Sequence, residues 1–132
     1  MVWYALTSMK FPPPVIALVD DEESVRKALV RLLRSAAIDA RGFASGEEFL
    51  AALEDLRPGC VLLDLHMPGI SGFEVLAQLQ RRFPVVVITG QDSPAAEARA
   101  LGAGAAAYLR KPINDRELLD AIATAISQAT DH

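Results

Sequence analysis

Cys60-Val61-Leu62-Leu63-Asp64-Leu65-His66-Met67-Pro68-Gly69 decides the fold. Val61-Leu62-Leu63 is apolar throughout, opens after the breaker Arg57-Pro58-Gly59 and closes on an acid and a Pro-Gly turn. A strand open to water on one side alternates apolar with polar residues. A continuous run this short predicts a strand covered on both faces, as in a parallel sheet. Val85-Val86-Val87-Ile88 repeats the pattern after Phe83-Pro84. Further strands are predicted over Val15 to Val19 and Ala107 to Leu109. Ala40 to Phe43 is a weaker run, read as a strand mainly because the alternation demands one.

The intervening segments carry helical spacing. Val25, Ala28, Leu29, Leu32, Leu33 and Ala36 form one core stripe, Val75, Leu76 and Leu79 a second, and Leu118, Leu119, Ile122 and Ile126 a third. Helix starts are marked by residues able to accept from free amides. Ser45 precedes Glu48, and Ser71 precedes Glu74, at capping-box spacing. Ser93 stands before Pro94, and Asn114 ahead of Glu117 is a looser version. Five strand-helix units imply an α/β class: a doubly wound, five-stranded parallel sheet with right-handed crossovers and five helices on its two faces.

With 132 residues the chain suits one domain, since a single core serves roughly 100 to 150 residues. Residues 1–14 read as an N-terminal extension ending in Pro12-Pro13-Pro14, residues 15–128 as the domain and 129–132 as a tail; Met9 is an alternative start. A single cysteine, Cys60, excludes an intrachain disulfide framework, and the start lacks a secretory signal, so a cytoplasmic setting is expected. Cys60 itself reads as a small core residue. The net charge of −4 argues against nucleic acid as a direct ligand, and no apolar run approaches a membrane span.

The strand ends carry the chemistry. The first strand is followed by Asp20-Asp21-Glu22, the third by Asp64, the fourth by Thr89 and the fifth by Arg110-Lys111-Pro112. Ligands of open parallel sheets bind beyond the carboxyl ends of the strands, so these side chains should share one rim. Asp20, Asp21 and Asp64 against Lys111 leave a local charge of −2, which a divalent cation would cancel. All-oxygen ligands in an open site favour Mg²⁺. Mg²⁺ beside a nucleophilic carboxylate, with a lysine and a hydroxyl near, is equipped for phosphoryl transfer.

Val19-Asp20-Asp21-Glu22, Leu62-Leu63-Asp64-Leu65-His66-Met67-Pro68-Gly69, Ile88-Thr89-Gly90 and Tyr108-Leu109-Arg110-Lys111-Pro112 together resemble the receiver domain of two-component response regulators, from about residue 14 to residue 128. The resemblance implies a flavodoxin-like sheet of order 2-1-3-4-5 and a phosphorylation-dependent signalling switch. It implies that Asp64 accepts the phosphoryl group, that Asp21 is a direct Mg²⁺ ligand and Asp20 acts on the ion mainly through water, with Asp64 and the His66 backbone carbonyl completing the protein's share, and that Thr89 and Lys111 hold phosphoryl oxygens. Tyr108 matches the aromatic switch position, His66 and Gln91 the two positions that tune phosphoryl lifetime, and Lys111-Pro112 a cis peptide.

The implied partners are a histidine kinase or phosphotransfer protein, and a downstream partner or output domain. No output domain, direct nucleic-acid binding or membrane contact is expected of these 132 residues. Phosphorylation is expected to draw Thr89 toward the acceptor and Tyr108 inward. That would alter a face including Ala98, Leu101, Ala105 and Ala106, which could form a phosphorylation-dependent homodimer. The resemblance makes the chain a phosphoacceptor that catalyses its own phosphorylation and slow dephosphorylation rather than an enzyme acting on another substrate. Two rivals fit less well. A haloacid-dehalogenase-type phosphohydrolase needs a second acid where His66 stands. An unphosphorylated interaction module has no use for concentrated like charge.

Overall fold

The computed structural model describes residues 14–130, so the expected extension, with Trp3 and Met9, lies almost wholly outside the described residues. Five strands and five helices alternate: β1 (Ile16–Val19), α1 (Glu23–Ser35), β2 (Ala40–Phe43), α2 (Gly46–Leu56), β3 (Cys60–Asp64), α3 (Gly72–Leu79), β4 (Val85–Thr89), α4 (Pro94–Gly102), β5 (Ala107–Arg110) and α5 (Asp115–Thr130). The strands form one parallel sheet of order β2-β1-β3-β4-β5. Strands β3, β4 and β5 each run one residue further than the apolar pattern indicates, taking in Asp64, Thr89 and Arg110. Helix α5 continues through Thr130, beyond the expected boundary at residue 128.

The continuous apolar runs are explained by two cores. Val61, Leu63, Val85 and Val87 pack with Phe49, Val75 and Leu79 from α2 and α3. Leu62, Val86 and Ile88, facing the other way, pack with Leu33, Leu118 and Ile122 from α1 and α5. Successive strand residues thus enter opposite cores, which is why no position on β3 or β4 tolerates a charge before the strand end. The weak run of β2 has a different cause: at the sheet edge it buries Ala40 and Phe43 but leaves Arg41 and Gly42 exposed.

The caps form as their spacing predicts, with one variation. Ser71 and Glu74 make a reciprocal capping box. Ser45 accepts from Glu48 N–H, but the Glu48 carboxylate reaches back to the amide of Ala44 rather than Ser45. Ser93 accepts from Ala96 N–H, and Asn114 from both Arg116 and Glu117. The α1 stripe is less buried than its spacing suggests. Leu33 is enclosed, whereas Ala28 is exposed and Val25 and Leu29 are half-buried, because the first half of α1 borders an open groove beside Lys111-Pro112, with Leu29 touching both groove and core.

Candidate functional site

The parallel register sets the carboxyl ends of β1, β3, β4 and β5 along one rim: Val19 pairs with Leu63, Asp64 with Ile88 and Thr89 with Arg110. Asp20 follows β1 and is fully buried, with every polar group engaged. Its N–H donates to Phe43 O at 3.1 Å, its carbonyl accepts from Arg26 Nη1 at 2.8 Å, and its carboxylate accepts from Glu22 N–H at 2.9 Å and Lys111 Nζ at 3.0 Å. Asp21 is exposed beside it. Asp64 ends β3 with only 3% of its surface accessible; its carboxylate accepts from His66 N–H at 3.3 Å and lies 3.7 Å from Lys111 Nζ.

Asp64 is held in place by the backbone of the next helix. Gly72, first residue of α3, donates to Leu65 O at 2.9 Å, and a Cβ there would stand 2.4 Å from Asp64 O. No side chain fits in that gap. Glycine at position 72 therefore lets α3 seat directly against the end of β3, a requirement of close approach.

Burial and like charge set the electrostatics. Desolvation first, then the Asp20 carboxylate, raise the Asp64 pKa above the usual aspartate value, against the lowering influence of Lys111. Desolvation alone would lower the Lys111 pKa, but Asp20, Asp64 and Glu22 outweigh it and hold the ammonium above the ordinary lysine value. Oxygen atoms of Asp20, Asp21 and Asp64 all lie within 4.8 Å of one another. One ammonium cannot neutralise three carboxylates so close together. The donor set, all carboxylate and partly open to water through Asp21, fits a hard divalent cation of the Mg²⁺ class.

Around this pocket stand the remaining predicted residues. Thr89 is fully buried, and its hydroxyl accepts from Gln91 N–H at 3.0 Å and approaches Gln91 O at 3.3 Å. Gln91 and His66 are exposed, and Lys111-Pro112 is cis. Tyr108 already has its ring in the core at 7% exposure, so an inward position needs no added phosphoryl group. Its hydroxyl donates to Asp92 at 3.0 Å, and Arg110 lies over the ring at 5.5 Å. Of the residues assigned to the neighbouring face, Ala105 is buried in the core, while Ala98, Leu101 and Ala106 are exposed. The sequence reading missed Asp92, whose carboxylate is gripped by both Tyr108 and Arg110, and Arg26 behind Asp20; no spacing rule marks either contact.

The sequence profile described as "Response regulator receiver domain" matches residues 16–123. This chain belongs to that family. Response regulator protein TmoT of Ectopseudomonas mendocina is 37% identical over 118 residues, covering 87% of this chain and 54% of TmoT. Transcriptional regulatory protein FixJ of Bradyrhizobium diazoefficiens is 37% identical over 117 residues, covering 86% of this chain and 57% of FixJ. The crystal structure of a response regulator receiver protein from Burkholderia phymatum superposes with a TM-score of 0.79 at 43% identity, covering 86% of this chain and 95% of that one. The receiver described here thus spans about half the length of these two full-length regulators. It is a two-component signalling domain. Among its described residues no helix is long and apolar enough to cross a membrane.

Proposed function

We propose that this receiver takes a phosphoryl group from the phosphohistidine of a histidine kinase or phosphotransfer protein onto Asp64. The observation that carries this reading is the convergence of Asp20, Asp21 and Asp64 oxygens within 4.8 Å, with the Lys111 ammonium 3.0 Å from Asp20 and 3.7 Å from Asp64. An Asp64 carboxylate oxygen attacks phosphorus as the P–N bond breaks, and the imidazole leaves with the bonding pair and is neutralised by a proton. Mg²⁺, held by Asp20, Asp21, Asp64 and the His66 carbonyl, would screen the acids from one another and from the incoming phosphoryl oxygens. Lys111 neutralises one of those oxygens, and Thr89 donates a hydrogen bond to another once released from Gln91. Hydrolysis of the acyl phosphate resets the domain at a rate influenced by His66 and Gln91.

The domain runs from residue 15 to the end of α5 at Thr130 and functions in the cytoplasm. Its donor docks on the groove formed by Val25, Ala28, Leu29, Lys111, Pro112 and Ile113, an apolar opening of about 550 Å³ with Lys111 at its border. Its output is a change in the face built from α4, β5 and α5, read by a downstream partner, an attached output domain or a second copy. Redirection of Thr89 toward Asp64 frees the amide of Gln91 and moves the loop that carries Asp92, so Tyr108 and Arg110 register the event at the surface. The test is intact mass after incubation with a small acyl phosphate. The expected result is gain of one phosphoryl group with Mg²⁺, none with chelator, and its loss in alkali. No gain in Mg²⁺, or a gain indifferent to chelation, would overturn the reading.

A further inference from the structure

We propose that Arg26 is a positioning residue for the acid pocket, fixing the turn that presents Asp20 and Asp21, and that Gly42 is glycine so that the Arg26 stem can cross the edge strand. The inference rests on the Mg²⁺ reading of the pocket. Arg26 lies in the first turn of α1, and its guanidinium donates to the main-chain carbonyl of Asp20 at 2.8 Å. The opposite side of the same residue is held by Asp20 N–H on Phe43 O at 3.1 Å. Asp20 is thereby fixed from both directions before its carboxylate engages anything. The next residue, Asp21, is exposed and has no such anchor among the described residues, so its placement follows from that of Asp20.

Gly42 supplies the independent observation. Glycine in a strand interior weakens the strand, so its presence calls for a reason. The reason is not backbone conformation, because Gly69 and Gly104 are the described glycines with positive φ. It is space: a Cβ on Gly42 would stand 2.9 Å from Cγ and 3.0 Å from Cδ of Arg26. These are stem atoms rather than the far end of the side chain, so a Cβ there displaces the Arg26 stem and disturbs the guanidinium that the stem aims at the Asp20 carbonyl. Arg26 and Gly42 therefore act as one brace, running from the β2 edge to the pocket.

Charge and position predict opposite signs. A guanidinium held on the Asp20 carbonyl, behind the acid pocket, repels Mg²⁺ by Coulomb's law alone, so its removal would tighten metal binding. Loss of a brace does the reverse, and residues that orient metal ligands typically affect affinity by about 10- to 100-fold. The experiment is calorimetric titration of Mg²⁺ alone into the wild-type chain, Arg26→Met, Gly42→Ala and the double variant. Each single variant should bind about tenfold more weakly, and the double variant no more weakly than the poorer single, because both remove the same contact. Hydrogen exchange at the Glu22 amide, which donates to Asp20, should accelerate in all three variants while core amides of β3 keep their protection. Equal or tighter binding by Arg26→Met, or additive losses in the double variant, would overturn the inference. If Arg26→Met does not fold, Gly42→Ala decides alone, since it keeps the charge: unchanged affinity there overturns it. Absence of Mg²⁺ binding by the wild type would instead defeat the metal reading itself.

Discussion

Two clusters at the carboxyl edge of the sheet use the same ingredients to opposite effect. In the pocket, Asp20, Asp64 and Lys111 have side chains 0%, 5% and 17% exposed; in the outer cluster, Asp92 and Arg110 are 39% and 53% exposed. Burial and a neighbouring acid raise the Asp64 pKa, whereas hydrogen bonding from Arg110 lowers that of Asp92. Asp92 has both oxygens engaged, one by the Tyr108 hydroxyl and one by Arg110, which also reaches Glu97 at 3.0 Å. Thus the pocket retains negative charge awaiting a cation, while the outer cluster satisfies itself. The first is suited to chemistry and the second to holding a loop until the chemistry moves it.

Removing the cation from each cluster should break the symmetry most visibly. Lys111→Met leaves buried Asp20 and Asp64 unopposed and should cost roughly 3 kcal/mol, near the low end for breaking a buried ion pair. Urea unfolding with and without Mg²⁺ checks this, with the metal restoring part of the loss. Arg110→Ala, by contrast, strands only exposed carboxylates that water can solvate, so its midpoint should shift by much less. A comparable loss in both variants would show that burial is not what separates the clusters.

Acidity sharpens the contrast on a smaller scale. Because the folded state raises the Asp64 pKa, it holds that proton more tightly than the unfolded chain does, so this contribution to stability fades as pH rises through the folded value. In chelator, Asp64→Asn should therefore gain on the wild type from the ordinary aspartate range toward neutral pH. Asp92 has the opposite shift. The stability it contributes should be present above the ordinary aspartate range and disappear on acidification below it. Parallel melting curves across pH measure both slopes, and equal signs would contradict the assignment.

The smallest expected effect isolates burial from pairing. Cys60 is fully enclosed at the start of β3, and desolvation lifts its thiol pKa to about 12. Native protein should resist alkylation at pH 8, while unfolded protein reacts fully, as read by mass.

How much of this was legible follows from its physical origin. β3 and β4 announced themselves because two-sided burial writes a continuous apolar run. β2 did not, since its edge position frees Arg41 for solvent and gives Gly42 to Arg26. The pocket acids could be grouped from topology alone, as strand ends must share a rim. The grip on Asp92 and the brace behind Asp20 could not, because each depends on where a long arginine side chain reaches rather than on any spacing. Likewise the α1 stripe has core periodicity, yet half of it lines a groove, a distinction that hydrophobicity does not make.

Buried like charge, not acidity in general, makes Asp64 the acceptor. The decisive measurement is phosphoryl incorporation in Asp64→Asn and Asp92→Asn beside the wild type, read as intact mass with an acyl phosphate and Mg²⁺. Asp64→Asn should fold yet take no label, and Asp92→Asn should be labelled to the wild-type extent. Labelling of Asp64→Asn at the wild-type rate, or its loss in Asp92→Asn alone, would contradict that assignment.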